Sequence, residues 1–442
     1  MKYYSTNHQA ADASLREAVE RGLAPDRGLY MPEHITKLPQ DFFDHIDRLS
    51  FQEMAFEVAK AFFGTDVDEA SLKHIVYDTL AFETPVVNVA RNIYSLELFH
   101  GPTLAFKDVG ARFMARLLQY FIRKDNLSDG QVNVLVATSG DTGSAVANGF
   151  LGVDGIHVYV LYPQGKVSRI QESQFTTLGR NITALEVDGV FDDCQALVKN
   201  AFMDSELNGH LTLTSANSIN VARFLPQAFY YFNAYAQLKR DGKLAFDSSG
   251  HSNMVVCVPS GNFGNITAGL FATRMGLPIK HFIAANNAND IFFNYLQTGE
   301  YHPQPSKQTL ANAMDVGDPS NFARILDLYG DSWENIRQDI SGATYPDERI
   351  RQTMQDCHRA TGYVLDPHGA CGYQALKEQL ADDEVGVFLE TAHPAKFKEK
   401  VDDILGTDID IPQRLQDFMR GTKQSVKLSN DFEAFKRFLM AQ

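Results

Sequence analysis

Cysteine is scarce in this chain: Cys194, Cys257, Cys357 and Cys371 are all there are in 442 residues, with no CxxC pair and no His at zinc spacing. That scarcity excludes a disulfide-stapled fold and a zinc site, so no metal is expected and the thiols read as reduced core residues of a cytoplasmic protein. No run of eighteen uncharged apolar residues occurs, and the amino terminus MKYYSTNHQAADASLREAVERG has no apolar h-region. Neither a membrane span nor a secretion signal is expected. Positive charge is also in deficit, with 40 Lys and Arg against 55 Asp and Glu and a net charge of −15. Such a surface repels nucleic acid and anionic lipid, so neither is an expected partner, and an anionic ligand must be met by a local positive site. Internal repeats and low-complexity segments are missing as well, and 44% hydrophobic with 21% charged residues excludes a largely disordered chain.

What is present is enough chain for at least two cores. Up to about residue 90 the pattern is mostly helical, with Leu15, Val19 and Leu23, then Met54, Val58 and Phe62, at four-residue spacing. From Ile93 onward short apolar runs alternate with helical patterns. IYSLEL (93–98), VNVLVA (132–137), HVYVLY (157–162), MVVCVP (254–259) and VGVFLE (385–390) read as parallel strands of an α/β protein. The polar stretch 239–253 reads as a loop and the tail beyond 405 as terminal helices. The partition expected is a helical unit over 1–92, α/β domains over 93–215 and 216–405, and a tail over 406–442.

In open α/β sheets ligands bind beyond the carboxyl ends of strands, and three such places carry chemistry. After MVVCVP comes SGNFGNITAGLFATRMG: Gly261 and Gly264 permit close backbone approach, Asn262 and Asn265 supply donors, and a helix beginning near Gly264 turns unpaired N–H groups toward one spot, an anion site. Such turns also occur in α/β proteins that bind nothing there. After IYSLEL, FHGPTLAFKDVGARF sets Lys107 at a helix start. The dipole and the flanking Leu104, Ala105 and Phe106 both favour a neutral, nucleophilic amine able to form a Schiff base, although an exposed surface lysine fits the same segment. After VNVLVA, the turn TSGDTG offers Thr138, Ser139 and Thr142 to a small anion, with Asp141 or Ser139 a candidate N-cap. Further on, TSANSINVARF gathers Asn217, Ser218 and Arg223, which suit an oxyanion.

In this order FHGPTLAFKD, TSGDTG, NSIN with its following Arg, GNFGN and ETAHPAKF resemble the threonine synthase family, pyridoxal-phosphate enzymes of fold type II, in its longer bacterial and fungal branch. The resemblance covers essentially the whole chain, including the GLAPDRGLYMP segment. It implies a tryptophan synthase β-like fold of two open parallel-sheet α/β domains with a helical amino-terminal unit. It implies that Lys107 carries pyridoxal 5'-phosphate and shuttles protons, that Gly261, Asn262, Phe263, Gly264 and Asn265 bind the cofactor phosphate, and that the Thr391 hydroxyl partners the pyridine nitrogen. Thr138, Ser139, Thr142, Asn217, Ser218 and Arg223 would receive the carboxylate and phosphate of O-phospho-L-homoserine, which is converted with water to L-threonine and phosphate. Asp141 stands where shorter relatives have Asn. An N-cap of a helix starting at Thr142, or a protonated carboxyl, would reconcile it with a nearby phenolate. A phospho-lyase, a serine or threonine dehydratase, and a catalytically silent binding module are the competing readings. A monomer or weak homodimer is expected.

Overall fold

The computed structural model describes residues 1–124 and 131–442. The apolar runs become strands. Val132–Ala137, Met254–Pro259 and Val385–Glu390 start and stop where the runs do, and every residue in them is buried, as befits parallel strands covered on both faces. Ile93–Glu97 and Ile156–Pro163 differ from their runs by a residue at the ends.

The described residues gather into two units, each drawn from separated stretches of chain: Met1, 31–106 and 224–410 in the first, 2–30, 107–223 and 411–442 in the second. The expected consecutive partition at 92, 215 and 405 is not how the chain is divided. The pairings that build each unit join strands hundreds of residues apart, Ile93–Glu97 with Val385–Glu390 and Ile182–Asp188 with Val426–Ser429, and a linear reading cannot see them.

The first unit holds a six-stranded sheet in the order Ile340–Thr344, His281–Asn286, Met254–Pro259, Val385–Glu390, Ile93–Glu97, Val86–Ala90. Its neighbours run parallel except for the last pair, which is antiparallel and bulged at Asn88 and Ala90. Helix Pro367–Gln379 packs on this sheet, burying Ala370, Cys371 and Leu376 against Val255, Cys257, Ile283 and Phe388. The helices Phe51–Phe63 and Glu69–Thr79 also belong here; the first starts at a reciprocal Ser50–Glu53 capping box.

The second unit holds a five-stranded, wholly parallel sheet in the order Val426–Ser429, Ile182–Asp188, Ile156–Pro163, Val132–Ala137, Thr212–Ser215. Leu135, Leu161 and Leu185 pack against Cys194 and Leu197 of helix Phe191–Met203 and against Phe435 and Leu439 of helix Phe432–Met440. Two expectations need amending. The first 92 residues also contain the short strands Lys2–Ser5, Ala13–Ser14, Tyr30–Pro32 and Val86–Ala90, and the tail contributes the edge strand Val426–Ser429 besides its helices. All are five residues or fewer, too short to show a period. Among the described residues no helix is long and apolar enough to cross a membrane, and all four cysteines are buried and unbridged.

Candidate cofactor and substrate site

In the first unit, Met254–Pro259, Val385–Glu390 and Ile93–Glu97 are adjacent and parallel. Their carboxyl ends therefore open on one edge, and the three segments singled out in this unit leave from it: 260–265, 391–393 and 98–106.

The 260–265 segment turns directly into helix Gly264–Arg274, as expected. Phe263 makes the turn in the left-handed region, φ 63°, with its ring buried against Phe292 at 4.6 Å between centroids. A non-glycine residue held there stores backbone strain, which surrounding structure must enforce. Gly261 rests against the turn Asn312–Met314: a Cβ would sit 2.8 Å from the Ala313 carbonyl oxygen and 2.9 Å from the Met314 Cα. The asparagines work differently from the expectation. The amide of Asn265 donates to the Pro259 carbonyl (2.9 Å), and Asn262 accepts from the Ser320 hydroxyl (3.1 Å) while its carbonyl accepts from Asn321 N–H (3.1 Å). Their side chains hold the turn, and the donors left over are on the backbone. None of the N–H groups of Gly261, Asn262, Phe263, Gly264 and Asn265 has a protein acceptor among the described residues. Buried backbone donors are almost always paired. Five open ones at a helix amino terminus form an anion cradle.

Thr391 is buried, and its hydroxyl has no protein partner among the described residues. Its carbonyl accepts from Phe106 N–H (2.8 Å), and the Leu104 carbonyl accepts from His393 N–H (3.0 Å). This isolated bridge fixes the segment that ends in Phe106, with Leu104 at φ 59° and the buried Lys396 Nζ donating to the Thr103 carbonyl at 2.8 Å. His393 is buried with its Nδ1 accepting from Ala395 N–H, and burial drives its pKa down to about 4.

Lys107, the next residue after Phe106, belongs to the second unit. It is the first residue of helix Lys107–Lys124 and half-buried. In the same unit the 138–143 turn follows strand Val132–Ala137. Thr138 Oγ1 accepts from Gly140 N–H (2.9 Å) and Gly143 N–H (2.8 Å), so this hydroxyl is spent on closing the turn. Asp141 is not the N-cap expected. The helix is Asp141–Gly149 with Gly140 at the cap position, φ 144°, and Asp141 Oδ1 accepts from the Gln171 amide at 2.9 Å. Gly140 bends the chain far enough for Thr138 to reach the Gly143 N–H, a donor that an aspartate cap would have taken. The hydroxyls and N–H groups of Ser139 and Thr142 have no protein partner among the described residues.

The neighbouring strand Thr212–Ser215 leads to the other predicted cluster, and the Asn217 amide ties the two turns by donating to the Ala137 carbonyl at 3.1 Å. Arg223 is buried; its Nη1 donates to the Ala216 carbonyl, and burial lowers its pKa to about 10 against the opposing pull of Asp108. The guanidinium thus has a structural bond, which the expectation of a phosphate clamp did not include.

The threonine synthase N-terminal family matches residues 2–80, the pyridoxal-phosphate dependent enzyme family residues 78–391, and the threonine synthase C-terminal family residues 369–439. Threonine synthase from Escherichia coli is 43% identical over 440 residues, 100% of this chain and 99% of that one. The chain belongs to the threonine synthase family. The crystal structure of the Escherichia coli threonine synthase superposes with a TM-score of 0.91 at 42% identity, covering all of both chains. The cofactor-bound threonine synthase of Brucella melitensis gives 0.91 at 34% identity, covering 100% of this chain and 99% of that one. The yeast threonine synthase is 36% identical over 451 residues, 89% of this chain and 86% of that one. The fold is thus the pyridoxal-phosphate fold type II expected, and the cofactor is pyridoxal 5'-phosphate. The five open N–H groups of the cradle suit its phosphate, and the open Thr391 hydroxyl suits a neutral nitrogen acceptor.

Sequence reasoning passed over the groups behind these loops: Ser320 and Asn321 against Asn262, Lys396 against Thr103, Gln171 against Asp141, and a buried Asp366–His368 pair. The last was legible as a helix start, since DPHG puts Asp at the cap and Pro at the first helical position.

Proposed function

We propose that this chain converts O-phospho-L-homoserine and water to L-threonine and phosphate, the last step of threonine biosynthesis, using pyridoxal 5'-phosphate. The observation that carries the reading is the cradle of five open N–H groups beside Thr391, on the edge from which the segment running into Lys107 leaves. When bound, the cofactor supplies an electron sink for the substrate's amino carbon skeleton. The backbone of Gly261 to Asn265 binds its phosphate and the Thr391 hydroxyl meets its ring nitrogen. A neutral partner there does not hold that nitrogen protonated. Lys107 Nζ anchors the cofactor, then takes the substrate's Cα proton and serves as the acid and base that moves protons between carbons. Ser139 and Thr142 orient the substrate carboxylate with hydroxyl and N–H donors. Asn217, Ser218 and Arg223 receive the departing phosphate, with Thr138 shaping the turn. Across the reaction the Cγ–O bond breaks, phosphate leaves, and water places its hydroxyl on Cβ. We place the reaction in the cytoplasm, in keeping with four unbridged thiols, with a monomer or weak homodimer as its vehicle and a small molecule rather than nucleic acid or membrane as its partner.

Incubation with O-phosphohomoserine, following phosphate and threonine together, tests the reading. Equal release of both supports it. Phosphate with a keto acid in place of threonine would make the chain a phospho-lyase, and neither product would end the assignment.

A further inference from the structure

Behind the cradle, in the same unit, lies a chain of buried polar groups that the reaction does not use. His368 is almost fully buried, with its ring on Phe397 at 5.1 Å between centroids. Its Nδ1 lies 2.6 Å from Asp366 Oδ2, and its Nε2 accepts from Ala313 N–H at 3.1 Å. A backbone N–H can only donate, so Nε2 carries no proton and Nδ1–H points at the carboxylate, one neutral tautomer selected from both sides. Asp366 is itself pinned: it caps helix Pro367–Gln379 through Gly369 N–H (2.6 Å), and its own N–H donates to Glu390 Oε1 (2.6 Å). Glu390 is the residue before Thr391.

At the other end, Ala313 is the centre of the turn Asn312–Met314, and its carbonyl is the surface against which Gly261 rests. The following residue, Asp315, fastens the turn from behind by accepting from Thr309 N–H (3.0 Å) and the Thr309 hydroxyl (2.7 Å) and from the Asn287 amide (2.9 Å). The turn therefore hangs on two fixed points, and one of them is an imidazole nitrogen bonded to the residue whose carbonyl faces Gly261.

We infer that His368 is a positioning residue for the phosphate cradle: Asp366 fixes its tautomer, its Nε2 holds the Ala313 N–H, and the carbonyl of that same residue, one peptide further on, sets where the Gly261 backbone stands. The inference rests on the reading of 261–265 as the cofactor-phosphate site. Binding of pyridoxal 5'-phosphate is compared with binding of pyridoxal, which lacks the phosphate, by titrating the full chain spectroscopically. A residue that only stabilises the fold would weaken both alike. His368→Asn keeps a polar group near Asp366 but falls short of Ala313, and it should reduce the preference for the phosphorylated form about ten-fold, the worth of one bond's alignment. His368→Gln, whose amide oxygen reaches the Nε2 position, should keep that preference within about three-fold.

An unchanged preference in His368→Asn would overturn the inference, and so would equal loss in the Asn and Gln variants. Gly261→Ala separates it from its foundation. If that variant leaves the preference intact, the cradle is not the phosphate site. If it collapses the preference while His368→Asn does not, only the role of His368 falls. Should the Asn variant fail to fold, imidazole nitrogen chemical shifts of the unaltered protein decide: a neutral ring protonated at Nδ1 is expected for His368, and a proton on Nε2 would refute it.

Discussion

The segments 260–265 and 138–143 are the same device built twice, a parallel strand, a tight turn and a helix amino terminus, yet they end in different chemistry. At 260–265 the side chains brace the turn from outside and five N–H groups stay open. At 138–143 the Thr138 hydroxyl folds inward and takes two of the donors, leaving the groups of Ser139 and Thr142. A helix start offers a fixed number of unpaired donors; whether they face a ligand is decided by one side chain. An open cradle suits a phosphate dianion held throughout turnover, and a part-closed turn suits a carboxylate that comes and goes.

The largest expected effect falls on the lysine proposed to carry the cofactor. Lys107→Ala should cut threonine formation by more than about 10³-fold and abolish the visible absorbance of the cofactor-loaded protein, with the fold retained by circular dichroism. Near-normal turnover would sink the proposed role of Lys107.

Acid should tell next on the first unit's edge. His393, the last residue of the 391–393 segment, has its folded-state pKa lowered by burial from the ordinary 6.5 to about 4. Its contribution is fully present above pH 6.5 and drains away as pH falls toward 4, because the unfolded chain takes up the proton first. The amount is up to about 3 kcal/mol. In denaturant titrations the stability advantage of the native chain over His393→Gln should shrink across that window; a constant difference would contradict it.

The cradle itself is broken by Gly261→Ala. A methyl group 2.8 Å from the Ala313 oxygen must displace one backbone or the other, and cofactor affinity should fall roughly 100-fold, equal to two cradle bonds at about 1.4 kcal/mol each. Thr142→Val in the other turn should raise KM for substrate and leave cofactor affinity alone. If the two variants behaved alike, the division of labour between the turns would be wrong.

Thr138→Val is smaller and of another kind. Removing one oxygen strands two N–H groups, so unfolding experiments should register a loss of about 2 kcal/mol. The same substitution has no counterpart at 260–265, where no side chain of the turn accepts from the Gly261 or Gly264 N–H. Smallest of all is Asp141→Asn: the amide oxygen can still accept from Gln171, and loss of the favourable charge in the first turn should cost less than about 1 kcal/mol by thermal denaturation.

Much of this was legible in the residues. Fully buried parallel strands announce themselves as apolar runs ended by glycine or hydroxyl residues, and the helix starts at Lys107 and Gly264 followed from the stripes behind them. The failures share a cause, which is distance. That Asp141 would yield the cap to Thr138 depends on Gly140 bending the backbone to φ 144°, and that the asparagines of GNFGN would face their own turn depends on Pro259 and Ser320. Two-residue strands carry no period, and the exposed VKLS of the tail is absorbed into the terminal helices expected there, because its pairing with Ile182–Asp188 lies far off in sequence.

The interleaving of the units bears on how the chain comes into being. A ribosome that has delivered residue 223 has made four of the second unit's five sheet strands, yet Ile182–Asp188 still shows a bare edge until Val426–Ser429 emerges about 200 residues later. Ile93–Glu97 waits longer still for Val385–Glu390. At 5–20 residues per second those delays last roughly ten seconds to a minute, during which unpaired strand edges are open to mispairing. Helpers that shield nascent chains, and slower growth temperatures, should therefore govern the yield of this protein more than changes to its finished core.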